Sequence, residues 1–143
     1  MAYDLIPAAR ISSSGLTAER TRMEVAANNI ANAQATSADP SQVYKRKIVV
    51  FESVLNRQMD SSVTSSFGGV KVKEIASSTK APMEIYNPSH PHADANGMLK
   101  KANISPLEEM VDMMTATRAY EANLSIMKQS KAMAQKMIDL GKG

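Results

Sequence analysis

The chain has 143 residues, a formal net charge of +3, 11 Met, no Cys and no Trp, with only 4% aromatic residues. That length sets one domain, or one domain with long extensions. The lack of Cys excludes a disulfide framework and thiolate metal sites, and the scarcity of aromatics argues against a large small-molecule pocket. The longest apolar runs, such as Ile48–Phe51, are far too short for a membrane span. Met1–Leu5 offers no basic and then apolar leader, so no cleaved secretory signal is expected.

Residues 1–36 form the first zone. Ala9, Leu16, Met23 and Ile30 recur every seven residues, which predicts a long helix packed against another helix. Ser12-Ser13-Ser14-Gly15 is the weak point of that helix, where a bend or break is expected. The middle zone, 37–104, changes period. Tyr44–Phe51, Val70–Lys73, Met83–Tyr86 and Met98–Lys101 read as strands, with Asn96-Gly97 as a hairpin turn. A polar, flexible loop is expected over 60–67. In the last zone, 105–143, Ser105-Pro106-Leu107-Glu108 is a capping box with Pro at the first helical position. No Gly or Pro follows until Gly141, which predicts a helix of about 50 Å. Met113, Tyr120, Met127 and Ala134 repeat every seven residues, and Met110, Leu124, Met137 and Ile138 widen the stripe.

The fold class expected from these elements is mainly α with a small β insert. The long N- and C-terminal helices would form an antiparallel coiled coil, and 37–104 a small β-rich outer domain. Two helices leave further apolar side chains outside any mutual seam, so burial by other subunits is favoured over a private core. The side chains expected to carry helix packing and assembly are Leu16, Met23 and Ile30 on the first helix. On the last they are Met110, Met113, Tyr120, Leu124, Met127 and Met137.

The whole +3 falls in the middle zone, which holds nine basic and six acidic residues; both flanking zones are neutral. Lys45-Arg46-Lys47 is too short for a nucleic-acid face and reads as a charged strand edge or a contact to an acidic neighbour. His90, His92 and Asp94 lack a third fixed ligand and read as an ordinary turn, so no metal and no cofactor are expected. No nucleophile–base pair or phosphate loop is visible, which argues against an enzyme and a small-molecule substrate. Asn28, Asn29 and Asn32 are costly in a helix interior. They lie either on a solvated face near the helix end or in hydrogen bonds that fix register between helices, with Asn123 as a candidate partner.

Ala26-Ala27-Asn28-Asn29-Ile30-Ala31-Asn32-Ala33 resembles the Asn-rich N-terminal signature of bacterial flagellar rod and hook proteins. Ser105–Met114 and Arg118-Ala119-Tyr120-Glu121-Ala122-Asn123 resemble the matching C-terminal signature. The short middle, with Tyr44–Lys47, Gly68–Val72, Tyr86–Gly97 and Ala102-Asn103-Ile104, is most similar to the proximal rod members. Ala102 stands where the family usually has Pro. The resemblance implies a non-enzymatic subunit that polymerises with itself and other rod proteins into the axial drive shaft, needed for motility. It implies terminal helices on the inner tube, a contact with the membrane ring or its junction, and export by the flagellar type III apparatus without a cleaved signal peptide. The rod would span the periplasm. The alternatives are another rod or hook paralogue, or a secreted helical effector or chaperone.

Overall fold

The computed structural model describes residues 7–54 and 68–141. The expected loop 60–67 and the last two residues, Lys142 and Gly143, lie outside them. In chain order the elements are α1 (Pro7–Ala31), β1 (Thr36–Ser37), a 3-10 turn (Pro40–Gln42), β2 (Lys47–Val54), β3 (Gly69–Ser77), β4 (Met83–Tyr86), β5 (Met98–Lys101) and α2 (Pro106–Leu140). No helix among the described residues is long and apolar enough to cross a membrane.

The structure corrects the expected fold class. Among the described residues, helices of 25 and 35 residues make up about half, and five strands in two sheets share the rest with loops, so the described fold is a mixture of helix and antiparallel sheet rather than mainly α. Nor do the terminal helices form the antiparallel coiled coil. A coiled-coil seam needs interlocking apolar knobs, yet Met110, Met113 and Met137 are exposed. The buried residues of α2 are instead Glu109, Ala116 and Ser130, and those of α1 are Ser12, Ala18, Val25, Ala26 and Asn29. The inward side chains are mostly small or polar, which serves close approach and hydrogen bonding rather than apolar interdigitation.

The chain divides into two compact units. One comprises residues 22–49 and 75–114. Its sheet has the order β1-β5-β4, with both pairs antiparallel. Thr36 faces Lys101, and Met83 through Tyr86 face Lys101 through Met98. The strands form at Met83–Tyr86 and Met98–Lys101, the spans that residue pattern indicated. Their connection ends in the expected Asn96-Gly97 turn. Asp94 Oδ1 accepts from the backbone N–H groups of Asn96 and Met98, both at 2.9 Å, and Gly97 takes φ +75°, a conformation glycine adopts without strain. His90 and His92 lie in this connection, where the His92 N–H donates to His90 Nδ1 at 3.1 Å.

Ala33, Val43, Ala102 and Ile104 form the apolar core of this unit, with Tyr44 packed against them. Ala102 is fully buried and its N–H donates to Ala35 O at 3.1 Å, a bond that proline could not make. Asp39 caps the 3-10 turn by accepting from the Ser41 N–H and hydroxyl, both at 2.8 Å. Those two bonds hold its carboxyl below the ordinary carboxylate range. At the start of α2, Ser105 Oγ accepts from the Glu108 N–H at 3.4 Å, as the capping-box spacing predicts.

The other unit comprises residues 1–21, 50–74 and 115–143, of which part is described. α1 runs unbroken through Ser12–Gly15, where a break was expected. Two contacts account for this. Ser14 Oγ donates to Ile11 O at 2.7 Å and accepts from the Val70 N–H at 3.1 Å, so the serine joins helix to strand. Gly15 admits α2: a Cβ at this position would lie 2.9 Å from Asn123 Nδ2. The glycine is there for close approach, not for a bend.

Candidate functional site

Two features of the 22–49 and 75–114 unit stand out: a buried polar network, and an apolar helix face turned outward.

The network begins with Asn29 in the last turns of α1. Its Nδ2 donates to Lys47 O and to Glu109 Oε2, both at 2.8 Å. Its Oδ1 accepts from the Lys47 N–H at 2.9 Å and the Tyr44 hydroxyl at 3.1 Å. An asparagine amide offers two donors and two acceptor positions, and all four are used. The reversed amide would set NH2 against N–H and oxygen against carboxylate, so the pattern fixes its orientation. By bonding both the N–H and the C=O of Lys47, the amide imitates a neighbouring strand at the point where β2 begins.

Glu109, in the first turn of α2, is 0% exposed. Its Oε2 takes the Asn29 bond, and its Oε1 accepts from Arg46 Nε at 2.5 Å. A buried carboxylate is tolerable only when paired and hydrogen-bonded, and here the cation comes from Arg46, about a third exposed. Burial, and after it the Glu109 carboxylate, push the Tyr44 hydroxyl pKa up. Lys47 Nζ lies 5.9 Å from the centre of the Tyr44 ring. Nearby, a second ion pair, Arg22 with Asp112, joins α1 to α2. Three chain segments thus meet at one amide and one carboxylate, and each leaves the others unsatisfied if withdrawn.

The same turns of α2 present the opposite chemistry outward. Leu107 is 71% exposed, Met110 49%, Val111 57% and Met114 58%. Their spacing of i, i+3, i+4 and i+7 places them on one face. Glu109 and Asp112, rotated to the other side, make the inward contacts. This segment is amphipathic in the inverted sense, with charge in and apolar side chains out. A contiguous outward apolar face marks an interaction surface.

The residues singled out from sequence fall as follows. Leu16, Met23 and Ile30 are half-buried, as are Tyr120, Leu124 and Met127. Met110, Met113 and Met137 are exposed. Of the asparagines, Asn29 alone lies in the buried network. Asn28 and Asn32 donate back to Glu24 O and Asn28 O within or just beyond their own helix, and Asn123 donates to Ala119 O. Asn123 is the side chain that faces Gly15.

Glu109, Arg46 and Tyr44 were missed as a constellation. Arg46 read as part of a solvated strand edge, whereas it neutralises a buried carboxylate. One signal was available. Glu109 sits on the far side of its helix from Leu107, Met110, Val111 and Met114, so burying that apolar stripe within the chain would have left Glu109 outside, and the converse holds.

Comparison with known proteins assigns this arrangement to a class. Residues 10–37 match the family described as flagella basal body rod protein, and residues 95–140 match the flagellar basal body rod FlgEFG protein C-terminal family. Asn29 lies in the first span and Glu109 in the second, so the two matched segments are those that the network joins. The chain is 40% identical to the flagellar basal-body rod protein FlgC of Bacillus subtilis (strain 168), over 92% of this chain and 95% of that one. It is 38% identical to FlgC of Salmonella typhimurium, over 92% and 93%, and 37% identical to FlgC of Aquifex aeolicus, over 97% and 98%. The class is therefore that of structural subunits of the bacterial flagellar rod, located in the basal body. Within that class, the chain belongs to the FlgC family of flagellar basal-body rod proteins.

Proposed function

We propose that this rod subunit is incorporated by burying the outward face of α2 against neighbouring subunits, both further copies of itself and other rod proteins. The inverted amphipathicity of Leu107–Met114 carries this reading, because charge is satisfied inside the chain while apolar side chains are left for a partner. The exposed portions of Leu107, Met110, Val111 and Met114 add up to roughly two whole apolar side chains. Covering them is worth about 3–7 kcal/mol per subunit, repeated at every copy. Torque then passes along the shaft through many such contacts in parallel. In this reading the strands and basic middle segment lie outward, and the terminal helices line the tube. The subunit crosses the inner membrane through the flagellar type III export apparatus, and the rod meets the membrane ring and spans the periplasm.

The test is a double substitution, Met110→Glu with Met114→Glu. Both residues are exposed in the single chain, so its helix content and unfolding midpoint should stay within error. Basal bodies purified from the variant strain should lack rods, and swimming should be lost. Leu124→Asp, at a half-buried position on the same helix, should likewise abolish rod assembly and motility while leaving expression intact. Normal swimming of the Met110/Met114 double variant would refute the assigned face.

A further inference from the structure

The exposed face of α2 has a chemical property that its role as an apolar surface does not require: two of its four side chains are thioethers. The chain has 11 Met and no Cys, so methionine sulfur is its only sulfur and the reaction of oxidants with it is not intercepted by a thiol. Met110 and Met114 are 49% and 58% exposed, one helical turn apart, on the same face as Leu107 and Val111. Met83, Met113, Met133 and Met137 are exposed as well, whereas Met98 is half-buried in β5 and Met23 and Met127 are half-buried on the helices; what sets Met110 and Met114 apart is their place on the apolar face with Leu107 and Val111.

We infer that Met110 and Met114 form an oxidation site, and that their conversion to methionine sulfoxide by a peroxide blocks incorporation of the subunit. This rests on the reading of the α2 face as an assembly surface. The chemistry is a two-electron oxygen transfer. A sulfur lone pair attacks one peroxide oxygen, an S–O bond forms as the O–O bond breaks, and the departing hydroxide takes up the remaining proton as water. Sulfur is oxidised by two electrons and hydrogen peroxide is reduced to water. The product is polar, with an oxygen that accepts hydrogen bonds strongly. Packing it against a neighbour's apolar side chains leaves that oxygen without a donor, and burying an unsatisfied polar group is unfavourable. The same atoms that supply adaptable packing when reduced therefore oppose it when oxidised. Reduction of the sulfoxide by a thiol-dependent methionine sulfoxide reductase, in which two thiols become a disulfide and the oxygen leaves as water, restores the surface; the modification is thus reversible before assembly, while burial in the rod shields it afterwards.

The experiment uses intact cells building flagella, pulsed with hydrogen peroxide at sublethal concentration. The full-length chain is recovered from purified basal bodies and from the unincorporated pool, and sulfoxide is quantified peptide by peptide. Sulfoxide at Met110 and Met114 is expected to be at least fivefold lower in basal bodies than in the free pool. Sulfoxide at Met98 should differ by less than twofold. Because shielding alone would also lower the first ratio, a second arm uses Met110→Leu with Met114→Leu. Counted against its own untreated level, rod number in this variant should fall by less than a tenth under a peroxide pulse that at least halves the parent's. Met110→Gln with Met114→Gln should lower rod number without peroxide. Equal rod loss in the parent and the Leu variant overturns the proposal, as does equal sulfoxide occupancy in the two pools. If Met110→Glu with Met114→Glu still assembles, the assembly face itself is wrong. If that variant fails while the Leu variant gains no resistance, the oxidation site alone is wrong.

Discussion

Replacing Asn29 by Asp changes almost no volume and tests the buried network directly. The amide Nδ2 lies 2.8 Å from Glu109 Oε2, and a carboxylate oxygen would take its place. Two unit charges at that spacing repel by about 6 kcal/mol even at an effective dielectric constant near 20. The pair escapes that cost by holding one proton between its oxygens, which also restores a hydrogen bond to Glu109. Keeping an Asp protonated costs about 1.4 kcal/mol for each pH unit above its ordinary pKa near 3.9, so about 4 kcal/mol at pH 7 and about 1.5 kcal/mol at pH 5. The donor to Lys47 O is lost as well, adding about 1 kcal/mol. Asn29→Asp should therefore lose about 5 kcal/mol at pH 7 and about 2–3 kcal/mol at pH 5, with the Arg46 guanidinium at Glu109 offsetting part of each. The sign follows from linkage. The new carboxyl has a folded pKa raised above its unfolded value, so the protonation part of the penalty is absent below the unfolded pKa and grows as pH rises toward the folded one, leaving only the lost bond to Lys47 O at low pH. Urea unfolding of variant and parent, followed by circular dichroism between pH 5 and 8, gives the difference at each pH. A loss independent of pH, or none at pH 7, would refute the placement of Asn29 against a buried carboxylate.

Arg46→Met should cost about 3 kcal/mol, because it strands the fully buried Glu109 beside one amide donor, whereas adding Glu109→Met should recover most of that loss. A double-mutant cycle in urea reads the coupling, and additive losses would argue against the ion pair. Gly15→Ala should change stability little in the parent, since the new Cβ crowds Asn123 Nδ2 and cancels the helix-propensity gain of about 1 kcal/mol. In an Asn123→Ala background that gain should appear as a higher melting temperature, and equal effects in both backgrounds would contradict the close approach.

Much of the fold was legible because it depends on local chemistry. Ser105-Pro106-Leu107-Glu108 marks the start of α2, and β4 and β5 take their boundaries from short alternating runs beside an Asn-Gly turn. Where two distant segments had to be weighed against each other, local pattern misled. Ser12–Gly15 looked like a helix break because a local reading cannot know that Val70 uses Ser14 Oγ and that Asn123 needs the space at Gly15. Arg46 looked like a solvated charge because nothing near it in sequence shows Glu109, 63 positions away.

The sequence by itself determined the two long helices, the strands β4 and β5 beside their Asn-Gly turn, and which family the chain resembles, since these depend on spacing, caps and turns; it showed nothing of β1 and placed β2 and β3 only in part. Only the tertiary structure decided which face of each helix turns inward. A seven-residue apolar stripe states that a helix has two kinds of surface, but burial of either face has to be weighed against what the rest of the chain supplies. Here the chain supplies Arg46 and Asn29, a cation and an amide that can satisfy a buried carboxylate. Glu109 therefore goes in, and Leu107, Met110, Val111 and Met114 are carried to the outside by the geometry of the same helix.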